Sequence, residues 1–214
     1  MRKLLKSCIL TAIALFIVFA AAPRAEAEGS SNVICPRPLS QLGIGYDNGI
    51  SVKILDTVAD APADAKDLSL NGDGSVLGWC EEDAVYLAGE GGINAGRDCR
   101  QMFYHIKSID FGDAFYTGDV VTMESMFTGS SNLQSLDLSC FDTSNVTDMS
   151  HMFDSCESLQ ALELSSWNVE NVSSMEYMFH CCYSLSQIGS FPLSHPAFEQ
   201  STFLHCNPAV VYGN

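Results

Sequence analysis

Beyond Lys107 the sequence contains no lysine or arginine, while 13 aspartates and glutamates follow that position. Over all 214 residues, 26 acidic side chains face 10 basic ones, for a formal net charge of −16. The shortage of cations excludes a surface built to grip nucleic acid or anionic lipid, because the field around such a chain repels phosphate. Any ion pair in the second half must draw on histidine, on the first half, or on a bound cation. Also missing, after the first two dozen or so residues, is any apolar run near the roughly 20 residues that a bilayer span requires. No Asp-x-Asp-x-Asp-Gly loop for calcium is present; Asn71-Gly72-Asp73-Gly74 lacks the later glutamate and reads as a turn. What is abundant is apolar: 47% of the residues are hydrophobic, enough for a packed core and against wholesale disorder.

The one long apolar stretch comes first. Arg2, Lys3 and Lys6 precede a run from Cys8 to Ala22, and Ala25-Glu26-Ala27 supplies small residues for cleavage. Residues 1–27 are therefore read as a signal peptide, removed after Ala27, which places the mature protein outside the cell, secreted or at the surface. That product keeps 6 bases against 25 acids, and no transmembrane segment is expected in it.

A period of 26 residues organises the second half. Phe115, Phe141 and Trp167 keep the interval, as do Val120, Val146 and Val172, and Met123, Met149 and Met175. Met126-Phe127, Met152-Phe153 and Met178-Phe179 continue it, followed by Leu133, Leu159 and Leu185. Ile106, Ile109 and Phe111 look like an earlier copy displaced by one residue, and Phe203-Leu204-His205-Cys206 like a decayed last copy of Met178 to Cys181, shifted by 25. Within each copy, Leu133-x-x-Leu136-Asp137-Leu138 alternates as a short strand would. Val146, Met149, Met152 and Phe153 space as one face of a short helix, with Asn145 at its N-cap, as Asp119 and Asn171 are in neighbouring copies. Strand plus helix per copy predicts an α/β repeat solenoid: a short leucine-rich-repeat stack with a parallel strand ladder inside and short helices outside.

Leu136-Asp137-Leu138-Ser139, then Phe141-Asp142-Thr143-Ser144-Asn145-Val146-Thr147-Asp148-Met149 and Met152-Phe153, resembles the BspA-like leucine-rich-repeat surface proteins. Gly74 to Trp79, Val85 to Ala88 and Met102-Phe103-Tyr104 resemble the lead-in of that family. The resemblance covers about residues 72–190 and implies an extracellular repeat protein of bacterial type, often an adhesin or host-contact protein.

Upstream, residues 28–71 lack a period and read as an N-terminal segment, linker or cap, with one or two strands between Leu42 and Leu55 around Asp47-Asn48-Gly49. Residues 72–105 read as a β-hairpin turning at Glu81-Glu82-Asp83 that shields the first repeat's open edge. The repeats occupy 106–192, and 193–214 form a degenerate C-terminal cap.

Eight cysteines remain once Cys8 is removed, and an even count in an exported chain raises disulfides as a possibility. Cys80 with Cys99, on either side of the hairpin, is the favoured pair; Cys181 with Cys206 is the weaker one, and Cys35 has no evident partner. Cys156, Cys182 and Ser130 share one repeat column, as do Cys140, Ala114 and Ser166, which asks only for a small buried residue. His180-Cys181-Cys182 and His205-Cys206 offer soft ligands without the spacing of a zinc module, so no metal or cofactor is expected. Cys181 as an enzyme nucleophile lacks a marked base or oxyanion site, and no catalysis is expected. The Asn145-Val146-Thr147 and Asn171-Val172-Ser173 sequons fall in the cap column, where the side chain is already engaged.

The expected binding surface is the outward strand face, a polar acidic strip carrying Gln134, Ser135, Asp137, Gln160 and Glu163. The expected function is non-catalytic contact with an extracellular protein or glycan, as in adhesion or host contact, with no nucleic-acid partner; the rival is a secreted or envelope-associated scaffold without a specific ligand.

Overall fold

The computed structural model describes residues 32–44, 49–82, 84–189, 191 and 194–207. The expected signal peptide, Asp47 and Asn48 of the expected turn, and the last seven residues lie outside them. No helix among the described residues is long and apolar enough to cross a membrane.

Alternating side chains make Ile50–Leu55 a strand, β1, in which Val52 and Ile54 are buried and Lys53 between them is exposed. The other strands of its sheet are β2 (Lys66–Asp67), β3 (Val76–Glu81), β4 (Ala84–Gly89) and, after the two-residue β5 (Ile93–Asn94), β6 (Ile106–Asp110). The order is β2-β3-β4-β1-β6, with β1 parallel to both its neighbours and β3 antiparallel to β2 and β4. Trp79 and Tyr86 face each other across β3 and β4 with rings stacked 5.2 Å apart, and Lys53 Nζ lies 5.1 Å from the Tyr86 ring. The hairpin expected as a cap is thus part of a five-stranded mixed sheet, and a strand of the segment between Leu42 and Leu55, where one or two were expected, lies inside that sheet as β1. A hairpin joins neighbours in sequence and is locally legible. The parallel pairing of β1 with β4 and β6 is long-range and is not.

The repeat region corrects the expected helix-lined leucine-rich-repeat stack. Among the described residues, helix is confined to α1 (Pro38–Gln41) and a 3-10 turn at Gln200–Phe203. The Met-Phe segments are successive turns instead. Left-handed residues interrupt them at Ser125 and Gly129, at His151 and Ser155, and at Tyr177 and Cys181, all with φ between 54 and 72°. Such residues stop an α-helix within one turn. Donors that a helix would aim at its own preceding turn go to the next repeat: Met123 N–H to Asp148 O at 2.9 Å, Phe127 N–H to Met152 O at 2.9 Å, Phe153 N–H to Met178 O at 2.9 Å. Asp98, Thr122, Asp148 and Ser174 form a row of parallel bridges. Asp98 and Asp148 each accept the backbone N–H two residues on, and Thr122 does so more weakly, which fixes the turn at each step.

The expected inner ladder is equally sparse. Among the described residues only β8 (Ala161–Leu162) and β9 (Gln187–Ile188) pair as strands on that side, while β5 pairs with β7 (Phe115–Tyr116). Leu133 to Leu138 forms no strand. Asn145 does not cap a helix: its Nδ2 donates to Gly118 O at 2.8 Å, and Asn171 Nδ2 donates to Ser144 O at 2.7 Å, each pinning its repeat to the one before.

Packing holds these turns in place. Phe103, Phe127, Phe153 and Phe179 are fully buried, and with Phe203 they form a column whose ring centroids are 6.1, 5.6, 5.5 and 4.9 Å apart. Met123, Met149 and Met175 and Leu133, Leu159 and Leu185 are fully buried beside it. Gly129 is demanded by its place, since φ is 72° and a Cβ would lie 2.4 Å from His105 Cε1. The column also corrects the alignment at the C-terminal end. Phe203 stacks on Phe179, and Cys181 N–H donates to Leu204 O at 3.1 Å as Ser155 N–H does to His180 O at 2.8 Å. The last step is therefore 24 residues rather than 25, so His205 takes the column of Cys181 and Cys206 that of Cys182.

Candidate functional site

The five residues of the expected strip, Gln134, Ser135, Asp137, Gln160 and Glu163, are all exposed. Backbone bonds set them side by side: Gln160 N–H donates to Gln134 O at 3.2 Å, and Ser186 N–H to Gln160 O at 2.9 Å. One turn motif recurs along this edge. Asp110 accepts Gly112 N–H at 3.0 Å, Asp137 accepts Ser139 N–H at 3.0 Å, and Glu163 accepts Ser165 N–H at 2.9 Å. Asp110 belongs to this acidic row although the displaced first copy hid it from the sequence alignment. The bond from the Ser139 backbone, joined by its hydroxyl, holds the Asp137 carboxyl below its usual range; the Ser165 hydroxyl and then its backbone do the same for Glu163. Among the described residues no lysine or arginine forms an ion pair with any of the three. Asp110, Asp113 and Asp137 also line a cleft of about 240 Å³ with Ser139 and Cys140.

The favoured disulfide pairings do not appear, while Cys156 and Cys182 are the small buried thiols their column asks for. All eight are free thiols, so the Cys80–Cys99 bridge is not formed. Cys80 is exposed on β3, whereas Cys99 is fully buried in the first Met-Phe turn, with its Sγ 3.9 Å from Ala95 O. Its N–H donates to Thr122 O as that of Met123 does to Asp148 O, so Cys99 fills the apolar slot that Met123 fills one turn later. Burial pushes the thiols of Cys99 and Cys156 far above their ordinary pKa. Cys156 and Cys182 donate to Phe127 O at 3.3 Å and Phe153 O at 3.1 Å, and Cys206 makes the same contact with Phe179 O. The column needs a small residue that can satisfy one carbonyl.

The second polar cluster, at the C-terminal end of the repeats, was not legible from spacing. His180, Cys181 and His205 place one ligand atom each within 4.8 Å of one another. Asp154, one turn back, accepts from His180 Nδ1 at 2.9 Å, from His151 Nδ1 at 3.0 Å and from Ser155 Oγ at 2.9 Å. Burial raises the Asp154 pKa, but the bonds from His151, His180 and Ser155 outweigh it and leave the carboxyl below its ordinary value. The only sequence signal was the recurrence of His-Cys near both ends of the last repeat, and an alignment one residue out separated its members.

These features define a class: an acidic protein of in-register repeats that presents rows of carboxylates along one edge and soft donors at one end. Residues 97–209, more than half of the chain, match the family described as Mycoplasma protein of unknown function, DUF285, and the protein belongs to that family. The match begins one residue before Asp98, the first of the bridged turns. No curated protein and no solved structure matches the chain.

Proposed function

We propose that this protein is an extracellular recognition module that binds a basic segment of a partner protein through its acidic edge, without catalysing a reaction. The observation that carries the reading is the row of Asp110, Asp137 and Glu163, each held by the same turn and none paired with lysine or arginine among the described residues. Neighbouring carboxylates at repeat spacing repel one another, and a chain of lysines or arginines laid along them relieves that repulsion while gaining its own contacts. The signal-like N-terminus and the resemblance to BspA-like surface proteins support an extracellular setting and a contact role.

The test is binding of the whole chain to a lysine-rich peptide, followed by fluorescence anisotropy across a salt series. Affinity is expected to fall steeply as salt rises. The double variant Asp137→Asn with Glu163→Gln should melt like the parent yet bind at least about tenfold more weakly, one charge contact being worth about 1.5 kcal/mol or more when partly desolvated. Equal binding by parent and variant overturns the assignment of the edge and leaves the chain as a scaffold.

A further inference from the structure

We propose that His180, Cys181 and His205 form a binding site for zinc or a similar divalent transition metal, a property separate from the acidic edge. His180 Nε2 lies 3.4 Å from Cys181 Sγ and 3.4 Å from His205 Nδ1. Tetrahedral zinc, with Zn–N of about 2.0–2.1 Å and Zn–S of about 2.3 Å, sets its ligand atoms roughly 3.3–3.6 Å apart. The two separations from His180 Nε2 match those edges, and the third, between Cys181 and His205, lies within 4.8 Å. Two imidazoles and a thiol are borderline-to-soft donors, which select against calcium and magnesium.

The surroundings prepare each donor. A carboxylate only accepts hydrogen bonds, so Asp154 Oδ1 at 2.9 Å keeps the proton of neutral His180 on Nδ1 and turns the Nε2 lone pair toward the cluster. That is the carboxylate–histidine pairing that orients metal-bound imidazoles. Tyr183 Oη donates to Cys181 Sγ at 3.2 Å, a bond suited to a thiolate. Backbone geometry brings the donors together, because Cys181 (φ 56°) and His205 (φ 61°) occupy the same left-handed position in successive turns. The first turn places His105 there and the next two place Gly129 and Ser155, so among the described turns two successive ones carry donors at this position only at the last step. Cys182 and Cys206 are spent on phenylalanine carbonyls and stand apart from the cluster.

A Cys181–His180–Asp154 nucleophile set is the competing use of these groups. It leaves His205 unexplained, since a third donor against the same Nε2 competes for the lone pair a general base needs. Metal binding uses all three, with a fourth position open to water.

The experiment titrates the reduced whole chain with Co2+ and then with Zn2+ against a chromophoric chelator. One equivalent of Co2+ is expected to give the visible bands of a tetrahedral site and a near-ultraviolet thiolate charge-transfer band, both erased by Zn2+. Cys181→Ser should abolish the charge-transfer band, and His205→Ala should weaken Zn2+ binding by at least about tenfold. Asp154→Asn should weaken it by roughly 10- to 100-fold. Cys80→Ser should change nothing. Circular dichroism of each variant separates loss of the site from loss of the fold. Binding without the charge-transfer band, or binding unaltered in folded Cys181→Ser and His205→Ala, refutes the site and assigns the metal to surface carboxylates.

Discussion

Removing one ring from the phenylalanine column tests whether the turns are held by packing between repeats. Phe153 is fully buried, with Phe127 stacked on one side at 5.6 Å and 3° and Phe179 on the other at 5.5 Å and 8°. Truncating a buried phenylalanine to alanine costs about 3–5 kcal/mol from lost transfer energy and the cavity left behind. Phe153→Ala, sandwiched on both faces, is expected near the upper part of that range. At about 2–4 °C per kcal/mol for a chain of this size, the melting temperature should fall by roughly 8–20 °C. Phe203 ends the column, retains 9% exposure and stacks on Phe179 on one face only, with Phe198 tilted against it at 5.3 Å, so Phe203→Ala should cost less, roughly 2–3 kcal/mol. Urea denaturation followed by circular dichroism measures both variants. Combining Phe153→Ala with Phe127→Ala should reveal a coupling of about 0.5–1.5 kcal/mol, the worth of one ring pair beyond its area. A cost under about 1 kcal/mol for Phe153→Ala, or an equal cost for Phe203→Ala, would refute the column as the spine of the repeats.

Thiol alkylation followed by peptide mass spectrometry should label exposed Cys80 in the native protein within minutes. Cys99, Cys156 and Cys182, all fully buried, should label only in denaturant, because only an accessible thiolate reacts; early labelling of Cys156 contradicts the buried column. Acid unfolding should report on Asp98, whose carboxyl is held below its ordinary 3.8 chiefly by the Arg100 guanidinium, with burial opposing. Since its folded pKa is depressed, its stabilisation is complete above the unfolded value and is lost as pH falls through the folded one. Solvent screens this partly exposed pair to about 0.5 kcal/mol. Asp98→Asn, which keeps an oxygen for the Arg100 N–H, should therefore lower stability slightly at neutral pH and converge with the parent once pH has fallen below the depressed folded-state pKa; a constant gap across the range rules out the charge as the cause.

The period, the buried identity of the Phe, Met and Leu columns, and the exposure of Asp137 and Glu163 follow from the amino-acid sequence alone. Each depends on which side chains leave water, and that preference is written residue by residue. The spacing of Val146, Met149, Met152 and Phe153 was equally good for a helix, and there local pattern misleads. Tertiary structure decided against it, because the amides of Met123, Phe127 and Phe153 find acceptors in the following repeat, and the left-handed residues at Ser155 and Cys181 let the chain turn to reach them. Tertiary structure also placed β1 inside the sheet. It shortened the last step to 24 residues, as the stacking of Phe203 on Phe179 requires, and so delivered His205 to Cys181. The physical reason is common to all three: a residue's own sequence neighbours set its solubility and local turn, but which distant backbone group completes its hydrogen bond is settled only when the chain packs.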